Sequence, residues 1–208
     1  MFKSKASQES TDLKTKGPFS PIPILVVFLL SLSSLTASAA PQTYRIVPQE
    51  SSINFFYDFS GVKSKGSFTD FKGIFSLNFS NAAQSKANVV INTQAINLPL
   101  AFALPALKSS QMLSVKKHPR ARYHMTSVRQ EGDTFLVEGR FNLKGIERSL
   151  SLRARFFRKK GLPANDLSQI VVHLNGAFDR SDYDVRGYEG LVGPTIWLDI
   201  RATLVRTK

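Results

Sequence analysis

Beyond residue 40, apolar and polar residues alternate with period two along most of the chain, the signature of half-buried β-strands. Tyr44-Arg45-Ile46-Val47 opens the pattern and Pro48 stops it. Ile53, Phe55, Tyr57 and Phe59 then share a face opposite Asn54 and Asp58, with Phe56 breaking the rule. The Gly- and Lys-rich stretch from Gly61 to Gly66 reads as a turn leading to Phe68, and Gly73 as a bulge or tight bend. Phe75, Leu77 and Phe79 alternate with Ser76 and Asn78, and Ala87, Val89 and Ile91 with Asn88 and Asn92. The same rhythm returns at Tyr123 and Met125, at Phe135–Leu143, at Leu150–Phe156, at Ile170–Phe178 and at Ile196–Leu204. These make about eight or nine strands. Most of the joining turns are too short for a crossover helix, so the sheet is expected to be antiparallel.

One stretch, Ala95–Pro119, does not follow the rhythm. It is apolar, carries Pro99, Pro105 and Pro119, and ends on Lys116, Lys117 and His118. In its first half Ile96, Leu98, Leu100, Phe102 and Leu104 alternate with Asn97, Pro99, Ala101 and Ala103, which predicts an extended apolar edge. Pro105 is suited to the first position of a short helix. From it Leu107, Met112, Leu113 and Val115 would share one face, with Lys108, Ser109 and Lys116 outside. A segment of this kind either plugs the end of a barrel or forms a lid over it.

One apolar face per strand leaves two architectures: two packed layers, or a barrel with an apolar interior. About eight strands make a barrel just wide enough for one small ligand. A membrane-spanning barrel alternates equally well, but the chain ends Arg206-Thr207-Lys208 without a terminal aromatic and shows no aromatic girdles.

Composition narrows the function. Among 208 residues, 28 Lys and Arg face 15 acids, a formal charge of +13, and there is no cysteine. Disulfides, Cys-ligated zinc and thiol catalysis are thereby excluded. Sixteen Phe and a hydrophobic share of 42% supply an ample core. Lys3, Lys5, Lys14 and Lys16 precede an apolar run, Ile22–Leu32, followed by Ala37-Ser38-Ala39. This is the layout of a secretory signal, with cleavage expected after Ala39 and a domain from residue 40 to 208. The run is short of the ~18 apolar residues of a span. Loss of residues 1–39 removes four Lys, Glu9 and Asp12, leaving +11. An exported basic protein meets anionic lipid or glycan surfaces rather than nucleic acid. Two basic groups stand out: Lys116, Lys117, Arg120 and Arg122, and Arg153, Arg155, Arg158, Lys159 and Lys160.

Catalytic chemistry finds no support. His118, His124 and His173 form no metal-binding or triad pattern, and no phosphate-binding loop or nucleophile elbow occurs. Asp179, Asp182 and Asp184 surround Arg180, which reads as a structural ion-pair cluster. An enzyme acting on a bound lipid would have to use Asp182, His124 or Tyr123. No activated pair among them is visible in the sequence.

Five segments together resemble the YceI-like family: YRIVPQESSINF from Tyr44, GSFTDFKGIFSL with Gly66, Phe68, Phe71 and Gly73, HPRARY around Pro119, VEGRFNLKGIERSLSL from Val137, and RSDYDV from Arg180. The resemblance covers nearly all of residues 43–206. It implies an all-β fold, an eight-stranded antiparallel lipocalin-like β-barrel with one short helix or lid segment between strands. It also implies a non-enzymatic periplasmic carrier of an isoprenoid, such as a polyisoprenoid quinone, with no cofactor or metal and often a homodimer. Expected ligand-binding residues are Phe55, Phe68, Phe75, Leu77, Val89, Ile91, Leu98, Leu107, Met112, Leu113, Tyr123, Phe141 and Phe178. Gly66, Gly73, Pro119, Gly145, Arg180 and Asp182 are expected as structural motif positions. The chain departs from the family at Lys144, where many relatives carry histidine. It departs again at Pro105–Lys108 and Met112-Leu113, where relatives carry a polar, acid-containing stretch. Ligand specificity is therefore expected to differ at this end.

Overall fold

The computed structural model describes residues 40–158, 161, 163 and 165–207. The expected signal segment, 1–39, lies outside the described residues. The strands are β1 (Gln42–Ile46), β2 (Ser52–Phe59), β3 (Val62–Phe68), β4 (Phe71–Leu77), β5 (Lys86–Asn92), β6 (Ile96–Asn97), β7 (Arg120–Glu131), β8 (Thr134–Leu143), β9 (Ile146–Arg158), β10 (Gln169–Asp179) and β11 (Val192–Arg206). Every pairing is antiparallel, in the order β1-β4-β5-β7-β8-β9-β10-β11, and β1 returns to β11 to close the ring. The remaining three strands prolong staves of that ring. β2 follows β1 along β11, β3 pairs with β2, and β6 pairs with β3. The result is an up-and-down barrel of eight antiparallel staves with one short helix, α1 (Leu104–Lys108). Closure by β1 and β11 rules out the two-layer alternative.

Three staves are interrupted at the same height, by Val47–Ser51, by Thr69 and Asp70, and by Thr93–Ala95. Each break has a local cause or a local repair. Pro48 has no N–H for the ladder and opens a 3-10 turn. Across the breaks, Val47 N donates to Thr203 O (2.8 Å), Thr69 N to Ala95 O (2.9 Å) and Asn92 N to Asp70 O (2.9 Å). Thr93 leaves the ladder to donate its N–H to Pro119 O and its hydroxyl to His118 O. These breaks form a seam around one side of the wall. Above it the ladder ends at β6, and the chain from Leu98 to Pro119 bridges to β7.

The alternating apolar residues of each stave point inward, and Arg45, Lys72, Arg122, Arg153 and Arg201 lie exposed on the outside with a few apolar residues such as Ile74 and Trp197. That orientation is opposite to a membrane-spanning barrel, whose apolar face must meet lipid.

Three local expectations fail, for steric reasons. The residues from Val62 to Gly66 are strand rather than turn; only Ser60 and Gly61 turn, both with positive φ. The apolar rhythm is missing there because Tyr57 and Phe55 pair with Ser64 and Gly66 and fill the interior in their place. A Cβ on Gly66 would lie 2.2 Å from the Phe55 ring. Gly73 is no bulge, since the register from Phe71–Ile91 to Ser76–Lys86 is unbroken. It makes room for Phe75 and Val89, which a Cβ would meet at 2.9 and 3.2 Å. In the excursion the extended edge stops at Asn97, and Ala101–Ala103 form a 3-10 turn rather than a strand. The helix does begin around Pro105 but ends at Lys108, and Met112, Leu113 and Val115 are buried from turns beyond it.

Candidate functional site

The barrel encloses a cavity of about 510 Å³. The inward residues of the staves line it: Ile53, Phe55, Tyr57 and Phe59 from β2, for example, and Ile196, Leu198, Ile200, Ala202 and Leu204 from β11. Every residue expected to contact ligand lies on this wall, from Phe55, Phe68, Phe75, Leu77, Val89 and Ile91 to Tyr123, Phe141 and Phe178. Leu98, Leu107, Met112 and Leu113 join them from the excursion.

Few polar groups reach this wall, and the protein itself occupies those of Asn78, Ser85, Tyr123 and Arg180. The Tyr123 ring crosses over Gly139, where a Cβ would sit 2.4 Å from its Cζ, and its hydroxyl donates to Leu150 O (3.3 Å) and Val137 O (3.4 Å). Burial holds that phenol far above its ordinary range, so it is neutral at any physiological pH. Asn78 N donates to Ser85 Oγ at 3.0 Å, and Asn78 Oδ1 accepts from the Ser80 and Asn81 backbone amides. Neither a carboxylate nor an imidazole belongs to the lining.

Arg180 is the one charged residue of the lining and is 4% exposed. The expected ion-pair cluster around it does not form. Its Nε donates to Gly193 O (3.0 Å), Nη1 to Val185 O (2.6 Å) and Gly187 O (2.9 Å), and Nη2 to Val192 O (2.9 Å). The reason is local geometry. Arg180 continues the inward face of Leu174 and Phe178, Asp179 has the opposite parity, and the 3-10 turn Arg180–Tyr183 carries Asp182 and Asp184 off that face. Asp179 caps Ser181 N, Asp182 is exposed, and Asp184 pairs with Lys144. The guanidinium thus gathers the loop between β10 and β11 into a ring of carbonyls.

That loop and the excursion meet at the mouth. Gly187 N donates to Gln111 O (3.0 Å), and Gly187 packs against Met112. Lys144 donates to the carbonyl and carboxylate of Asp184, the latter at 3.0 Å. This hydrogen bond, and then the ammonium charge, hold the Asp184 carboxyl below its ordinary value. Gly145 completes the β8–β9 turn at φ 83°, with His118 lying where a Cβ would be. The departure from histidine at Lys144 therefore supplies a tie between a hairpin and the mouth loop.

The candidates for an enzyme are not brought together. Tyr123 faces the cavity, Asp182 lies on the exposed loop, and His124 is outside the wall with Nδ1 2.6 Å from Asn88 Oδ1. No cluster of metal-ligating side chains occurs among the described residues. The sequence did not point to Tyr188 or Leu191 as lining residues. They sit in a loop, which carries no periodic signal. Val128 was also missed, because a register shift between Met125 and Ser127 reverses the alternation of β7.

Residues 44–204 match the family model of the YceI-like domain. The chain belongs to the YceI-like family. "Protein YceI" of Salmonella arizonae is 34% identical over 130 residues, covering 61% of this chain and 68% of the relative. Among solved structures, Burkholderia cenocepacia BcnA superposes with a TM-score of 0.69 at 15% identity, covering 76% of this chain and 98% of that one. A polyisoprenoid binding domain from Saccharophagus degradans, implicated in plant cell wall breakdown, superposes with a TM-score of 0.59 at 15% identity, covering 80% and 99%. At such identity these structures speak to the barrel itself.

Proposed function

We propose that this YceI-like chain is an exported, non-enzymatic carrier that holds a long apolar lipid of isoprenoid type in its barrel. The observation that carries this reading is a lumen of about 510 Å³ lined almost wholly by apolar side chains, without a carboxylate or imidazole, and with its one guanidinium bonded to backbone carbonyls. Such a wall suits a hydrocarbon that offers no hydrogen bonds, gaining about 25 cal/mol per Å² buried. Membership of the YceI-like family, and likeness to a polyisoprenoid binding domain, support the same class of ligand. A polar head such as a quinone ring would rest at the mouth. The signal-like N-terminus, cleaved after Ala39, would deliver the barrel to the periplasm.

Purification without detergent, organic extraction and mass spectrometry test the reading. A co-purifying isoprenoid is expected, together with uptake of a fluorescent isoprenoid. Leu198→Trp, which fills the lumen, should abolish uptake while the barrel stays folded by circular dichroism. A protein that yields no lipid and takes up none would end the proposal.

A further inference from the structure

Large apolar side chains are exposed at one end of the barrel, where several elements converge. Phe102 is 79% exposed, Val62 65%, Leu191 49%, Tyr188 48%, Leu100 43% and Phe59 36%. They form one lip. Phe59 is paired with Val62 and with Val192, Ser60 N donates to Leu191 O, and Leu191 N donates to Tyr188 O. All but Val62 also line the lumen, so the lip is the outer edge of the same apolar surface. Exposed patches of this kind mark an interaction site.

The charges around it decide what it meets. Lys116 and Lys117 are exposed where the excursion returns, and Lys108 ends α1. Lys63 and Lys65 stand beside Val62, stacked on the outer rings of Phe56 and Trp197 at 5.1–6.0 Å. Arg186 is exposed on the mouth loop, whereas Arg120 lies at the seam beside Asp70. The acids there are Asp58, Asp182, Asp184 and Glu189. Asp58 accepts from Gly61 N, and Asp184 is shared by Lys144 and Arg186. Cations therefore surround an apolar tip. Of the second basic group, Arg153, Arg155 and Arg158 lie toward the opposite end of β9, and Lys159 and Lys160 lie outside the described residues.

We propose that the lip is a membrane-docking surface: Phe102 and Leu100 enter the acyl boundary of an anionic bilayer while Lys63, Lys116 and Lys117 contact its headgroups. Apolar insertion plus cationic attraction is the combination that holds interfacial proteins on anionic lipid. It rests on the carrier reading for its purpose, since an apolar ligand could then pass between bilayer and lumen without crossing water. The docking itself is measured separately.

The experiment uses the chain from Ala40, which contains every strand of the closed ring and lies within the self-contained unit Ala37–Lys208. Co-sedimentation with phosphatidylglycerol-containing vesicles is compared with pure phosphatidylcholine vesicles. Binding is expected to anionic vesicles and to fall with salt. Phe102→Ser with Leu100→Ser should weaken it roughly tenfold or more, and Lys116→Glu with Lys117→Glu by at least about twenty-fivefold, at about fivefold per charge removed. Both pairs are exposed, so folding should be unaffected. The lysine pair, which lies outside the lumen wall, should leave uptake of a fluorescent isoprenoid delivered from cyclodextrin unchanged. A parent chain that binds anionic vesicles but takes up no isoprenoid would overturn the carrier reading and leave docking standing. Absence of vesicle binding, or binding indifferent to both the lip residues and the charge, would overturn the docking proposal. So would light scattering that shows a dimer dissociated by the Phe102 and Leu100 substitutions, because the lip would then cover a second copy of the chain.

Discussion

The barrel wall below the seam and the mouth above it are built on different principles. Below, β1, β4, β5 and β7 to β11 close a ring in which each strand has hydrogen-bonded neighbours on both edges. Side chains there only need to be apolar and of the right size. Above, β6 spans two residues, Ile96 and Asn97, and the wall is completed by the excursion and by the loop between β10 and β11. Those segments are held by particular groups: the Arg180 guanidinium, the Lys144–Asp184 tie, and Gly66, whose missing Cβ makes room for Phe55 and Leu98. A ladder tolerates change at many points, whereas an arrangement hung on single side chains fails when one is removed.

Substitutions should expose that contrast. Arg180→Leu strands the carbonyls of Val185, Gly187, Val192 and Gly193 and should cost about 3–5 kcal/mol, as does breaking a buried charged network. Urea denaturation measures the loss. Hydrogen exchange should show protection disappearing first in residues 180–193, and uniform loss around the ring would break the comparison. Gly66→Ala, also above the seam, forces Phe55 and Leu98 aside and should cost about 1–3 kcal/mol by overpacking. Its thermal midpoint checks this. Tyr123→Phe, in the ring, gives up only two long hydrogen bonds and should cost about 0.5 kcal/mol.

The smallest effect is a pH dependence. Asp184 has a carboxyl depressed by Lys144, so the tie contributes stability above the carboxylate's ordinary value of 3.8 and loses it as pH falls through the lower, folded value. Asp179, depressed chiefly by hydrogen bonds from Ser181, acts in the same direction on the same loop. Protection factors in residues 180–193 should therefore fall below about pH 4 while those of the ring hold. Lys144→Met should return the Asp184 titration toward its ordinary value, read by carboxyl NMR. An unshifted titration would remove the tie from the account.

Much of the ring was legible, because period-two alternation is a property of neighbours along one strand. Phe135, Val137, Phe141 and Leu143 declare their face without help from anything else. β3 was illegible by the same test, since its inward positions, Ser64 and Gly66, are small only because Tyr57 and Phe55 reach across from β2. The thirteen residues nominated as ligand contacts all line the lumen, whereas Tyr188 and Leu191 could not be found from their own loop.

The sequence by itself determined the all-β fold, the antiparallel staves, the apolar inner face, and a family whose motifs run in order from Tyr44 to Val185. Tertiary structure alone decided which apolar residues gather at the mouth, that Arg180 faces inward to carbonyls instead of its neighbouring acids, and that Lys144 meets Asp184. The reason is distance along the chain. Alternation is written within a few residues, but Lys144 and Asp184 are 40 apart and Arg180 and Met112 are 68 apart. Only closure of the barrel brings such residues together.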